Sequence, residues 1–381
     1  MIKKITYLLF IAISFSCVKE KEKTKITLEE VTNLGFSLQD KSDKDDVSAM
    51  NELYDVKAFA DIFLLKSTDK EIHEFNAGFF SGFSRNFNFG EMLVEQKIDG
   101  GSYEFIRAYE DDQNNFHLLF RLYGEGLNYH DYLVKEINGE LKIIDMYIYM
   151  SGEYLSDTYK TYYKSILDKS NVLTKDLTEI TAYQDALKLI EVKELNVAGK
   201  FKEAHKVYKT ISSSSRITKA FQLVNIMVTF NLSEDIYYQA IKDYEKRFPN
   251  DPSLYLVSLD GLILNKQFDK AIKSIDKLDE VLGGDPFLNY IKGNIYYFEK
   301  EYESALGKYA IVNLEYPDFI DAYDSALGIY LETNNNEKVI EILELYVTKF
   351  EIDKEELKFN LSEFSPAFIK TKEFKNWFSK K

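Results

Sequence analysis

Apolar residues change their period twice along this chain, and the changes divide it. Leu53, Val56, Phe59, Ala60, Phe63 and Leu64 recur at the three- and four-residue spacing of a helix face, and Ile72, Phe75, Phe79, Phe80, Phe83 and Phe87 repeat the pattern. The spacing predicts helices over about 50–66 and 69–97. Gly78 and Gly82, four residues apart, predict a close helix contact or a kink in the second. From Tyr103 the period becomes two. Tyr103, Phe105 and Tyr109 alternate with polar residues, as do Phe116, Leu118, Phe120 and Leu122, then Leu127, Tyr129 and Leu133, then Leu141, Ile143, Tyr147 and Tyr149. Asn138–Gly139 is the sequence of a type I′ hairpin turn. The expectation is two or three helices followed by a four-stranded antiparallel meander, an α+β domain over 28–170.

Beyond residue 180 the helical period returns and stays. Small residues recur at Ala204, Ala240, Ala271, Ala305 and Val339, each followed four positions later by a larger apolar residue: Tyr208, Tyr244, Ile275, Tyr309 and Leu343. The last two intervals are both 34 residues. Polar breaks such as Asn265–Lys266–Gln267, Glu299–Lys300–Glu301 and Asn334–Asn335–Asn336 precede the small residue, and Pro249, Pro252, Pro286 and Pro317 fall between units. This predicts an all-α array of helical pairs over 180–350. Its last unit needs a cap, because stacked pairs expose an apolar end. Residues 351–381 supply Leu357, Phe359, Phe364, Phe368, Phe374, Trp377 and Phe378 for it.

Between Pro286 and Pro317, Gly293, Tyr296, Ala305 and Tyr309 stand where a two-helix repeat of about 34 residues needs small and aromatic side chains. The stretch resembles a tetratricopeptide repeat. The resemblance implies an all-α solenoid whose first helices line a groove for a protein partner. On this chain that face carries Leu256, Asp260, Ile263, Tyr290, Asn294, Tyr297 and Asp324. Its mix of aromatic, amide and acidic groups suits an extended peptide with some basic character, and the same face would also receive the chain's own first domain. The order of elements in 28–170 resembles the NTF2-like fold, which implies a curved sheet around a helix, with room for a ligand or a small hydrolase or isomerase site. Its polar candidates are His117, Arg121, His130, Asp131 and Asp145. His117 and His130 each follow an aromatic assigned to the core, Phe116 and Tyr129, so alternation places both on the solvent face.

Charge and cysteine count narrow the partners. The 381 residues carry a formal charge of −15 with no basic cluster, which argues against a nucleic-acid binder. Asp40–Asp46 lacks the glycine and distal glutamate of a calcium loop and reads as a solvated turn. The single cysteine, Cys17, excludes an intramolecular disulfide and a multi-cysteine metal site, and no cofactor is implied. Cys17 closes an apolar run that begins after Lys3 and Lys4 and is too short to span a bilayer. Ser16–Cys17 resembles the lipobox of bacterial lipoproteins. That implies a cleaved signal peptide at 1–16, acylation at Cys17, a flexible tether over 17–27 and a place in the cell envelope, anchored to a membrane. The whole then reads as a membrane-anchored interaction scaffold, not an enzyme.

Overall fold

The computed structural model describes residues 26–97, 101–124, 126–169 and 177–380. The expected signal segment 1–16, Cys17 and most of the expected tether lie outside the described residues. The first structured element is one the periodicity left unassigned, helix α1 (Leu28–Asp43). Thr27 and Glu30 close a reciprocal capping box at its start, and Val31, Leu34 and Leu38 form its buried stripe. The helix runs through the first half of the stretch expected to be a solvated turn, which begins only at Lys44.

Each long helix expected next is two helices. Asp55 caps α3 (Val56–Phe63) and separates it from α2 (Val47–Leu53). Asn88 caps α5 (Phe89–Gln96) and separates it from α4 (Lys70–Asn86). In both places an Asx side chain accepts from the backbone N–H three residues on and starts a new axis. Gly78 and Gly82 sit inside an unbroken α4, and nothing approaches within 4 Å of where a Cβ would stand, so they serve neither a contact nor a kink.

The meander follows as β1 (Ser102–Glu110), β2 (Phe116–Tyr123), β3 (Leu127–Ile137) and β4 (Glu140–Ile148). A two-residue β5 (Glu153–Tyr154) makes the antiparallel sheet five-stranded, in sequence order. Asn138 and Gly139 both take positive φ, 55° and 88°, as a type I′ turn requires. One face of the sheet packs on α1–α5 and on α6 (Leu155–Lys169), through Tyr103, Leu118, Phe120, Tyr132, Ile143 and Met146.

The other face, expected to meet water, is buried too. Leu119, Tyr129 and Tyr149 enter a second core with helices from the C-terminal half. His117 and His130 therefore do not share a solvent face. They lie on opposite sides of the sheet, because the β2–β3 register pairs Phe120 with His130 and Leu119 with Asp131. Both imidazoles are buried.

The helical half contains α7 (Leu177–Val197), α8 (Phe201–Lys209), the short α9 (Ser213–Arg216), α10 (Lys219–Phe230), α11 (Glu234–Arg247), α12 (Pro252–Leu264) and α13 (Phe268–Leu282). It continues with α14 (Leu288–Phe298), α15 (Tyr302–Glu315), α16 (Ile320–Glu332) and α17 (Asn336–Thr348). From α12 on, consecutive helices pair through the small residues: Ala271, Ala305 and Val339 are wholly buried. Where the first helix of each pair turns into the second, Lys266, Lys300 and Asn334 adopt left-handed φ of 57°, 63° and 53°. These left-handed positions recur every 34 residues. The end is covered by α18 (Lys354–Phe364) and α19 (Lys372–Phe378), whose Leu357, Leu361, Phe374 and Trp377 pack on Val339, Leu343 and Tyr346. Trp377 Nε1 also donates to Glu344 at 2.7 Å. Phe359 and Phe364, expected in this plug, point to solvent instead.

Gly293 shows why the pairs need small residues: a Cβ there would run into the Tyr309 ring. Gly293→Ala is expected to destabilise the chain by about 1–3 kcal/mol through overpacking. Gly307→Ala, on an open face of α15, should add up to about 1 kcal/mol. Urea unfolding of both variants against wild type measures the contrast.

Candidate functional site

The second face of the sheet meets a row of helix starts. Arg121, central on β2, is buried with a side chain 1% exposed, and the Asp285 carboxylate just before α14 is 0% exposed. Arg121 Nη1 donates to Asp285 Oδ1 at 2.6 Å and to the Tyr316 hydroxyl at 3.2 Å. Tyr129, on the neighbouring strand, donates its hydroxyl to Asp285 Oδ2 at 2.8 Å. The guanidinium lies 4.0 Å from the centre of the Phe287 ring. Burial first, then the Asp285 charge, raise the Tyr316 phenol to about 12 and Tyr129 well above its usual range. Both phenols therefore stay protonated as donors.

Similar contacts run along the row. Arg107 Nε on β1 donates to the Leu282 carbonyl at 2.6 Å, ending α13. Tyr147 on β4 meets Ser253 Oγ at 3.1 Å at the start of α12 and accepts from Lys219 Nζ at 3.2 Å at the start of α10. Lys219 also pairs with Asp251. Tyr123 packs its ring on Phe287 and Phe319, before α14 and α16. The starts of four helices are thus held by one sheet face.

The expected partner-binding residues are distributed around this joint. Leu256 is buried in the core shared with the sheet, and Tyr290 is buried beside Phe287, Phe319 and the sheet's Tyr123. Asn294 accepts from the Tyr309 hydroxyl at 2.8 Å, Tyr297 donates to Glu332, and Asp324 accepts from Tyr346. Each of these polar groups ties one helix of the array to another. Asp260 falls on α12, and its side chain lies outside the described residues. The six described side chains do not form one continuous open face, because the sheet covers Leu256 and Tyr290.

Two of them, Leu256 and Ile263, do line an open cleft of about 460 Å³ between the end of α7, α10 and α12. Met150, Met227, Phe230 and Leu264 complete its apolar wall; Met227 is 36% and Leu264 69% exposed. Asn196 and Asn231 add amides at the rim, and Asn196 Oδ1 is buried without a hydrogen-bond partner. The methionines and α10 were missed because the earlier units depart from the spacing that marks the later ones. The alternation of Met150 with Tyr147 and Tyr149 gave no reason to aim it at helices some hundred residues away.

The polar candidates of the first domain divide between the two faces. His117 Nδ1 lies 2.9 Å from Asp131 Oδ1 and Nε2 lies 3.3 Å from Asp111 Oδ2, while the Tyr109 ring stacks on the imidazole. Burial alone would lower the His117 pKa, but the hydrogen bond and charge of Asp131, with those of Asp111, outweigh it and raise it. Asp111 itself is held at about 2, chiefly by hydrogen bonds from the Asn115 side chain and backbone. Both ring nitrogens are thus engaged by carboxylates. The imidazole links β2 to β3 and to the turn after β1.

His130 behaves oppositely. Its Nε2 accepts from Asn128 Nδ2 at 3.3 Å, and its Nδ1 lies 2.9 Å from the Tyr103 hydroxyl, which also bonds Tyr132. Burial lowers its pKa to about 4. Asp145 accepts from Ser156 at the start of α6 and caps that helix. Of these five groups only His117 and Asp131 meet.

Comparisons with protein-family models, with curated proteins and with solved structures gave no match to the chain.

Removing one member of the Arg121–Asp285 pair strands a buried charge, so Asp285→Ala is expected to cost about 3–5 kcal/mol in urea unfolding. Arg121→Met combined with Asp285→Leu should recover most of that loss, since no bare charge remains. NMR titration should find the two imidazoles on opposite sides of the ordinary value near 6.5. His117, with a raised folded pKa, adds stability below that value and loses it as pH rises through the folded pKa. His130 adds stability above it and loses it as pH falls towards 4. His117→Gln should abolish the loss on the alkaline side only.

Proposed function

We propose that this chain is a membrane-anchored interaction scaffold of the bacterial cell envelope. Its C-terminal half acts as a tetratricopeptide-like array that receives a segment of a partner protein. The observation that carries the reading is the open apolar cleft between α7, α10 and α12. It holds Leu256 and Ile263 from the expected groove and presents exposed Met227 and Leu264. Methionine adapts to irregular partner side chains, and the rim amides of Asn196 and Asn231 suit a peptide backbone.

The 34-residue recurrence of left-handed turns at Lys266, Lys300 and Asn334 supports kinship in build with tetratricopeptide arrays. Anchoring rests on the sequence around Cys17, read as an acylation site. No described helix is long and apolar enough to cross a membrane. A binding role without catalysis agrees with the engagement of both His117 nitrogens. The α+β half, with an order of elements like the NTF2-like fold, then serves as the brace that fixes the array.

Removing the helical half would strip the covered face of the sheet, so point variants are the appropriate test. Cells carrying wild type or the Met227→Asp, Leu264→Glu double variant are crosslinked, fractionated, and the chain is recovered for mass spectrometry. Wild type in the membrane fraction should hold a protein that the variant loses at unchanged urea midpoint. Cys17→Ala should leave that fraction. An identical capture list from the double variant would overturn the cleft as the docking site. Retention of Cys17→Ala on the membrane would overturn the anchor.

A further inference from the structure

A cleft beside α12 has a lining whose charged groups are mainly cations. Lys242 on α11 and Lys270, Lys273 and Lys277 on α13 ring a cleft of about 350 Å³. Its floor is Leu254, Tyr255 and Leu262 of α12. The three α13 lysines are spaced by three and four residues, which aligns them along one helix face. All four are exposed. Elsewhere in the array Lys292, Lys338 and Lys349 hold carboxylates. These four have no ion-pair partner among the described residues. The Lys270 and Lys277 ammonium groups lie instead 5.1 and 5.4 Å from the Tyr238 and Tyr255 rings.

The positive surface continues across the α11 ridge. Arg216, Lys246 and Arg247 line a neighbouring depression. The carboxylates in the two linings are Glu245 and Asp243, and Asp243 already accepts from Gln239 at 2.8 Å. Seven cations against two acids is a sharp local reversal in a chain of net charge −15.

Helix electrostatics explain part of this and not the rest. Lys246 and Arg247 occupy the last turn of α11, where cations oppose the partial negative charge of the helix end. Lys270 stands in the first turn of α13, where the dipole disfavours a cation, and Lys242 and Lys273 lie away from helix ends. Placing four lysines around one lining carboxylate, Glu245, is unfavourable for the isolated chain. An external anion reverses that sign.

We propose that the α11–α13 cleft docks an acidic segment with an apolar face on a partner protein. The apolar floor between basic rims selects such a segment over a nucleic acid, which offers phosphates without an aliphatic stripe. The concavity selects it over a flat membrane surface. The partner's carboxylates would draw the lysine ammonium groups outward and uncover Leu254, Tyr255 and Leu262 for its apolar side chains. This surface lies on α11 and α13, apart from the inner cleft of the proposed function, and does not depend on it.

The test is fluorescence anisotropy of the full chain with a labelled amphipathic helical peptide carrying leucine on one face and glutamate on the flanks. Two control peptides replace glutamate by glutamine or shuffle the order. The first peptide should bind, weaken as salt rises, and lose on the order of tenfold in affinity on Lys242→Glu with Lys273→Glu. Lys338→Glu, on α17, should leave binding unchanged. Equal binding of the glutamine or shuffled peptide, or indifference to the α11–α13 reversals, overturns the proposal. So does flotation of the chain with anionic phosphatidylglycerol vesicles, lost on the same reversals, when the peptide itself fails to bind.

Discussion

A buried ion pair between the two halves governs this molecule. Arg121 and Asp285 stand 164 positions apart in the chain and meet with no access to water. Desolvating both is expensive, and apolar residues of the same size would hold the halves together at least as well. What the pair supplies is registration. An apolar face slides over another with little change in energy, whereas a guanidinium fits only where its carboxylate waits. Tyr129 and Tyr316 complete the shell of donors around Asp285, so the fit is specific in angle as well as position. The other contacts along the joint, from Arg107 to Tyr147, lie on the same face of the sheet.

The pair also explains where sequence reading succeeded and where it stopped. The strands were legible because alternation and Asn138–Gly139 are local signals, and the later helical pairs because Ala271, Ala305 and Val339 keep a strict interval. The helix breaks at Asp55 and Asn88 were equally local, though the apolar stripe running through them masked their caps. The second face of the sheet was not legible. Runs such as Leu118–Leu119–Phe120 are those of a strand covered on both sides, yet nothing near them in sequence says what covers the second. From that one gap came the misplacement of His130, now buried on the side of the first core.

For the candidate site the same division holds. Leu256 and Ile263 were found because α12 belongs to a well-formed unit. Tyr297, Asn294 and Asp324 were read as open polar groups, and each is consumed by a tyrosine or glutamate of an adjoining helix. Such polar bonds between helices stiffen the array and leave side-chain chemistry for a ligand mainly at its less regular beginning, around α7 and α10. The outer lysines were visible one by one, but their convergence required knowing that α11 and α13 flank a common floor.

If the left-handed turns at Lys266, Lys300 and Asn334 mark equivalent joints, helical pairs could be gained or lost there at little local cost. The sheet removes that freedom over its own span. It touches the starts of α10, α12, α14 and α16 at fixed places, so one added pair among them would carry every later anchor out of reach. The sheet is a ruler that sets how many units lie beside it. Lengthening is left to the far end beyond α17, where α18 and α19 form a removable stopper and no strand keeps count.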